Sequence, residues 1–203
     1  RNPHRELQKE ACWTLSNIAA GTVDQIQLVL NSGIVPFLVE LALDDAGDPD
    51  VRTEACWVIL NATSCGSEKQ VEQLVQNGAI AVLNPLPHLT VMSSSSPNIL
   101  SMALEGLEKV LAVGDMLAKE LDSVQALSPT QTAFIFAVNP YVGQVNTAAL
   151  MQLKDTSKPS IARRAEVIWN EHFAQCAICK TVYSRRAHIT RFCAECSCQV
   201  CPS

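Results

Sequence analysis

Glu10-Ala-Cys-Trp13-Thr-Leu-Ser-Asn17 returns as Glu54-Ala-Cys-Trp57-Val-Ile-Leu-Asn61, 44 residues further along the chain. The text between the copies repeats as well. Gln25–Leu43, reading QIQLVLNSGIVPFLVELAL, runs parallel to Gln70–Leu89, reading QVEQLVQNGAIAVLNPLPHL, with Gly33 and Gly78 at matching places. Another step of 44 lands on Asn98, just before ILSMALEGLEKVL, and on Ser101 and Glu105 within it; this stretch keeps the apolar rhythm and loses both the Trp and the Asn. The chain therefore carries two good copies of one unit and a degenerate third.

Each unit reads as a short helix, a glycine break, a second helix, a polar loop and a longer third helix. Apolar residues recur at steps of three and four within the long helices. Gly21, Gly33, Gly66, Gly78 and Gly114 are placed as helix-ending breaks. Asp44–Asp50 (DDAGDPD) and Ser93–Asn98 (SSSSPN) are rich in turn formers and helix starters. One such unit cannot bury its own apolar face, so neighbours must stack into a helical solenoid with a concave groove. A three-helix repeat of roughly 40–47 residues is the armadillo pattern. The expected fold is all-α: a right-handed superhelical armadillo solenoid, the C-terminal half of a longer array, followed by a small Cys-rich tail. Residues 1–114 would carry the groove and 115–173 a degenerate terminal repeat. Residues 174–203 would form the tail. Between Asp115 and Ser157 the rhythm fades, as in ALSPTQTAFIFAVNPYVGQV.

Composition narrows the classes. The 203 residues are 48% hydrophobic and 17% charged, enough apolar material for a core and too little charge for a disordered chain. Fifteen Lys+Arg against twenty Asp+Glu give a net charge of −5, which excludes a global basic field for nucleic acid and suits cationic partners. No apolar run reaches the ~18–20 residues that span a bilayer. No secretory leader pattern opens the sequence. Cys12 and Cys56 each precede a Trp in apolar helical text, where a reduced thiol packs as a small hydrophobe. An odd count of nine cysteines argues against a secreted disulfide framework and for a reducing compartment.

Glu10, Trp13 and Asn17 fall at i, i+3 and i+7, one stripe of a helix, and Glu54, Trp57 and Asn61 form the same stripe one repeat later. Such residues are poor core material, because a buried Asn amide needs partners. Stacked repeats would present them as a ladder of indoles and carboxamides. An Asn offers one acceptor and two donors, which matches the N–H and C=O of an extended peptide. Facing indoles make slots for the stems of Lys or Arg, at ~0.5–2 kcal/mol per cation–π contact. Glu10 and Glu54 add negative charge at the slot ends. The expected ligand is an extended basic peptide.

These residues resemble a known family. QKEACWTLSNIAAG (Gln8–Gly21), EACWVILNATSCGS (Glu54–Ser67) and ALEGLEKVLAVG (Ala103–Gly114) are similar to the late armadillo repeats of importin-α, the nuclear-import adaptor. Asn139-Pro140-Tyr141 and the helix expected over Ile161–Phe173 look like that family's final, atypical repeat. The resemblance implies a minor binding site for Lys/Arg-rich nuclear localisation signals at Trp13, Asn17, Trp57 and Asn61, flanked by Glu10, Ser16 and Glu54. It also implies contact of residues near 100–173 with an export receptor, and shuttling between cytoplasm and nucleus. The family's major-site repeats and its importin-β-binding segment have no counterpart in this sequence. Cys65 stands where the family usually has a glycine.

The tail is unlike that family. Cys176 and Cys179 form one C-x2-C knuckle and Cys193 and Cys196 another, with His188, Cys198 and Cys201 as alternative ligands. Four soft thiolates in two knuckles suit tetrahedral zinc. Arg185, Arg186, His188 and Arg191 weakly resemble the basic run of FYVE fingers, and the opening C-x-I-C is similar to RING domains. The competing reading is thus an armadillo scaffold with a zinc finger acting in ubiquitin transfer or at phosphoinositide membranes. No cofactor is expected for the repeats and no direct nucleic-acid contact. No enzyme is expected either: His4, His88 and His172 stand singly, without triad spacing, and no phosphate-binding glycine loop is present.

Overall fold

The computed structural model describes residues 3–84, 98–125, 139–175 and 182–184. The chain divides into two compact units, Arg1–Val110 and Leu111–Ser203. The first contains α1 (Pro3–Ala19), α2 (Val23–Asn31), α3 (Val35–Leu43), α4 (Pro49–Cys65), α5 (Glu68–Gln76), α6 (Ala79–Leu83) and the opening turns of α7 (Ile99–Gln125).

Within this unit α1 packs on α4, α2 on α5 and α3 on α6. Each helix of the first repeat therefore lies against its own counterpart one period later, as a stack of three-helix repeats requires. Burial follows position in the stack. On α1 the buried residues are Cys12, Ser16 and Ala19, whereas α4 buries Ala55, Cys56, Ile59, Leu60 and Thr63 among others. Fully buried Leu and Ile side chains such as Leu38, Ile59, Leu60 and Leu74 contribute about 1.5–3 kcal/mol each.

Local chemistry sets the boundaries. Thr22 and Gln25 form a capping box that opens α2, the Thr22 N–H donating to Gln25 Oε1 at 2.8 Å. Ser67 and Gln70 repeat the device before α5, at 3.0 Å. Gln70 is buried and its amide also donates to the Val23 carbonyl (2.8 Å) and Gln27 Oε1 (3.0 Å), tying α5 to α2. Gly33 and Gly78 adopt φ of 72° and 90°, the left-handed turn that follows α2 and α5 and that a Cβ disfavours. Asp48 starts α4 by accepting from the N–H groups of Asp50 (2.9 Å) and Val51 (3.2 Å), with Pro49 in the first turn.

The second unit holds the rest of α7, a 3-10 turn (Val142–Gln144), α8 (Thr147–Lys154), α9 (Pro159–His172) and a strand pair, β1 (Phe173–Gln175) with β2 (Val182–Ser184). Gly114, expected to end a helix, lies instead buried inside α7. A Cβ there would sit 2.1 Å from Asn139 Oδ1 and 2.8 Å from Tyr141 Cδ2, so close approach explains the glycine. Asn139 holds that approach by donating to the Leu111 carbonyl (2.7 Å) and Asp115 Oδ1 (2.9 Å) while accepting from the Tyr141 N–H (2.9 Å). The other Asp115 oxygen lies 3.2 Å from Nδ1 of buried His172. Trp169 stacks on Phe173 at 5.7 Å between ring centroids. The antiparallel strands pair Phe173 with Ser184 and Gln175 with Val182, a small β element added to the expected all-α fold.

Part of the Ser93–Asn98 loop (93–97), residues 126–138 and His88 lie outside the described residues. Among the described residues, no single helix is long and apolar enough to cross a membrane.

Candidate functional site

The face shared by α1 and α4 gathers six of the seven expected binding residues at its surface. Trp13 is 54% exposed. Glu10 and Asn17 are exposed, and Glu54, Trp57 and Asn61 are half-buried. Neither indole is swallowed by the core. Glu10, Trp13, Glu54 and Lys9 line one cleft of about 300 Å³. Ser16 turns inward: it is 5% exposed and its hydroxyl donates to the Trp13 carbonyl at 2.8 Å.

Hydrogen bonds fix the carboxamides. Asn17 donates to the Trp13 carbonyl one turn back, at 3.0 Å. Asn61 reaches across to α1 and donates to the Ser16 carbonyl, also at 3.0 Å. Each amide so uses one N–H and leaves its carbonyl oxygen and a second N–H for another partner. At the opposite end of the face Lys9 Nζ meets Asp50 Oδ2 at 3.0 Å, and Arg5 pairs with Asp48. Both ion pairs join α1 to the start of α4, on the N-terminal side of the Trp–Asn rungs.

Burial raises the Glu54 pKa; nearby Asp50 and Glu10 raise it further, and Lys9 opposes them. The hydrogen bond and charge of Asp50 raise that of Lys9. Burial also raises the thiols of Cys12 and Cys56, the latter to about 12, so both are neutral packing groups. Cys65 is exposed at the end of α4.

On α7 the ladder changes. Ser101 is half-buried and Glu105 exposed, at the places of Trp57 and Asn61. Lys109 donates to the carbonyls of Ser64 (2.8 Å) and Gly66 (2.7 Å), capping the negative end of α4.

Lys9 and Asp50 were missed as site residues by reading the sequence. Asp50 lies four positions before Glu54 on the same helix, a spacing that could have flagged it. Its partner is 41 positions away, off the repeat period, so aligning the copies does not pair them. The expected zinc ligands Cys176, Cys179, Cys193 and Cys196, with His188, Cys198 and Cys201, lie outside the described residues. Among the described residues, no group of three or more His, Cys, Asp or Glu could hold a metal ion.

Residues 22–64 match the model of the armadillo/β-catenin-like repeat. Among solved structures, two designed armadillo repeat proteins superpose with a TM-score of 0.54, over 84% of this chain and 60% and 59% of theirs. One of these was solved in complex with the peptide (KR)4; at 20% and 24% identity the two show the fold alone. Among curated proteins, importin subunit alpha-4 of Arabidopsis thaliana is 44% identical over 115 residues, 57% of this chain and 20% of that protein. Importin subunit alpha-5 of the same plant is 36% identical over 116 residues, 57% of this chain and 21% of that protein. The period, the helix-on-counterpart stacking and these matches define an armadillo-repeat protein. Its repeat region is similar to importin-α subunits over 57% of the chain. The chain spans about a fifth of the length of these curated relatives.

Proposed function

We propose that the α1–α4 face binds Lys/Arg-rich nuclear localisation segments in extended form, as part of a non-catalytic nuclear-import adaptor. The observation that carries this reading is the pair of Trp–Asn rungs on adjacent helices, locked by the Asn61–Ser16 bond, beside an acidic cleft under an open Trp13. Basic side chains would lay their stems along the indoles and turn their charges toward Glu10 and Glu54. The free oxygen and N–H of Asn17 and Asn61 would pair with the passing peptide backbone, as one acceptor and one donor per rung permit. Ser16 contributes through its carbonyl, which orients Asn61. The same reading gives residues near 100–173 contact with an export receptor, assigns importin-β contact to a segment outside this sequence, and implies shuttling between cytoplasm and nucleus.

A fluorescence-anisotropy titration tests it. A Lys/Arg-rich peptide should bind with micromolar or tighter affinity, and a Gln-substituted peptide of the same length should not. Trp13→Ala with Trp57→Ala should abolish binding. Unchanged affinity in that double variant would overturn the reading.

For the tail we propose zinc held by Cys176, Cys179, Cys193 and Cys196, on the strength of the two C-x2-C knuckles. Elemental analysis should find about one zinc per chain, the number four thiolates hold. Cys176→Ser with Cys179→Ser should release it. A metal-free unmodified protein, purified without chelator, sinks the assignment.

A further inference from the structure

The cleft under Trp13 already holds a cation of its own. Lys9 lines it together with Glu10 and Glu54. Its ammonium is 3.0 Å from Asp50 Oδ2, and the side chain stays 37% exposed. Asp50, Glu6 and Glu54 all favour its charged form. Lys9 in turn offsets part of the effect of burial on Glu54, so the two groups sense each other across the cleft.

We infer that Lys9 is a specificity-determining residue of this slot, a built-in competitor for incoming cationic side chains, and that Asp50 positions it. The inference rests on the peptide-binding reading above. An ammonium or guanidinium entering between Glu10 and Glu54 meets the like charge of Lys9, and repulsion of this kind weakens binding. The stem of Lys9 also takes up part of the cleft. Asp50 draws the ammonium to one side by a charge-assisted hydrogen bond, which leaves Glu10 and Glu54 to the ligand. Without Asp50, the carboxylates left to favour the charge of Lys9 are Glu6 and Glu54, and it would turn toward the place the ligand's charge should occupy. The slot is thereby tuned against single, isolated cations. A segment with several basic residues in register gains from the other rung and outweighs the penalty.

The test is a set of anisotropy titrations of one labelled Lys/Arg-rich peptide against the full chain and four variants. Lys9→Met keeps the stem and removes the charge; it should tighten binding about two- to fivefold, the range carried by exposed charge pairs. Asp50→Asn should weaken binding by a similar factor. In the Lys9→Met background the same Asp50→Asn change should cost less than it does alone, because Asp50 acts through Lys9. The gain in Lys9→Met should shrink as salt rises. Lys9→Gln gives a second neutral variant, and far-UV circular dichroism checks that each variant folds. Equal or weaker binding by both Lys9→Met and Lys9→Gln overturns the proposal while leaving the peptide reading intact. Failure of the unmodified chain to prefer the basic peptide over its Gln-substituted counterpart overturns both.

Discussion

α4 and α7 hold equivalent places in successive periods, and they differ chiefly on one face. Turned inward, Cys56, Ile59, Leu60 and Thr63 of α4 correspond to Leu100, Ala103, Leu104 and Leu107 of α7, and all eight are buried. Turned outward, Glu54, Trp57 and Asn61 correspond to Asn98, Ser101 and Glu105. Packing partners hold the first set in place: a Cβ on Gly106, the counterpart of Ala62, would come within 2.9 Å of Leu83 Cδ2. The second set is half-buried or exposed, so packing constrains it less than the first. A rung of the ladder can therefore be lost while the repeat beneath it stays folded. Lys109 illustrates the same freedom, since at the place of Cys65 it became a cap for the preceding helix.

The comparison can be broken first at the core, where the largest effect is expected. Leu60→Ala and Leu104→Ala should each cost about 2–5 kcal/mol in urea unfolding, the range for buried Leu truncations. Trp57→Ala, half-buried, should cost less than either. A cheap Leu104→Ala would mean that the third helix is not held as the second is. The next largest effect tests whether the face alone was lost. Ser101→Trp with Glu105→Asn should restore a third rung and tighten a lengthened basic peptide about two- to thirtyfold, the equivalent of one cation–π contact of ~0.5–2 kcal/mol. Unchanged affinity for that peptide in anisotropy would show that Ser101 does not continue the line of Trp13 and Trp57.

The parts of this molecule that local chemistry decides were legible in the sequence. Gly33 and Gly78 announce helix ends, and Trp and Asn at a constant period announce one recurring face. Gly114 was misread because its reason is tertiary: Asn139 and Tyr141 reach it from 25 and 27 positions away, and helix interiors tolerate a glycine at about 0.5–1 kcal/mol. The β1–β2 pair escaped notice because three-residue strands carry no period to read, and Phe173 looked like the last residue of a helix. At the site, the stripe was legible and its wiring was not. That Ser16 turns inward, that Asn61 reaches its carbonyl and that Lys9 finds Asp50 all depend on how α4 lies against α1, which no spacing within one helix reveals.

The smallest expected effect is a pH dependence at Glu54, the acid of the second rung. Glu54 is half-buried, and burial lifts its pKa above the ordinary 4.5. A carboxyl whose pKa is higher folded than unfolded binds its proton more tightly in the fold, so the charged form disfavours folding. That penalty is absent below the unfolded value near 4.5 and complete once pH has risen past the folded one. Glu54→Gln should then be at least as stable as the unmodified protein at neutral pH, with the difference closing as pH falls toward the unfolded value. Binding should move the opposite way. The carboxylate that strains the fold is the one that attracts the ligand, so the variant should bind basic peptide a few-fold more weakly at neutral pH, as partly exposed charge pairs do. Urea midpoints and anisotropy across the acidic limb read the two effects separately. A variant less stable than the parent at neutral pH would show that Glu54 is there for packing, and that the acid of the second rung does not serve the slot.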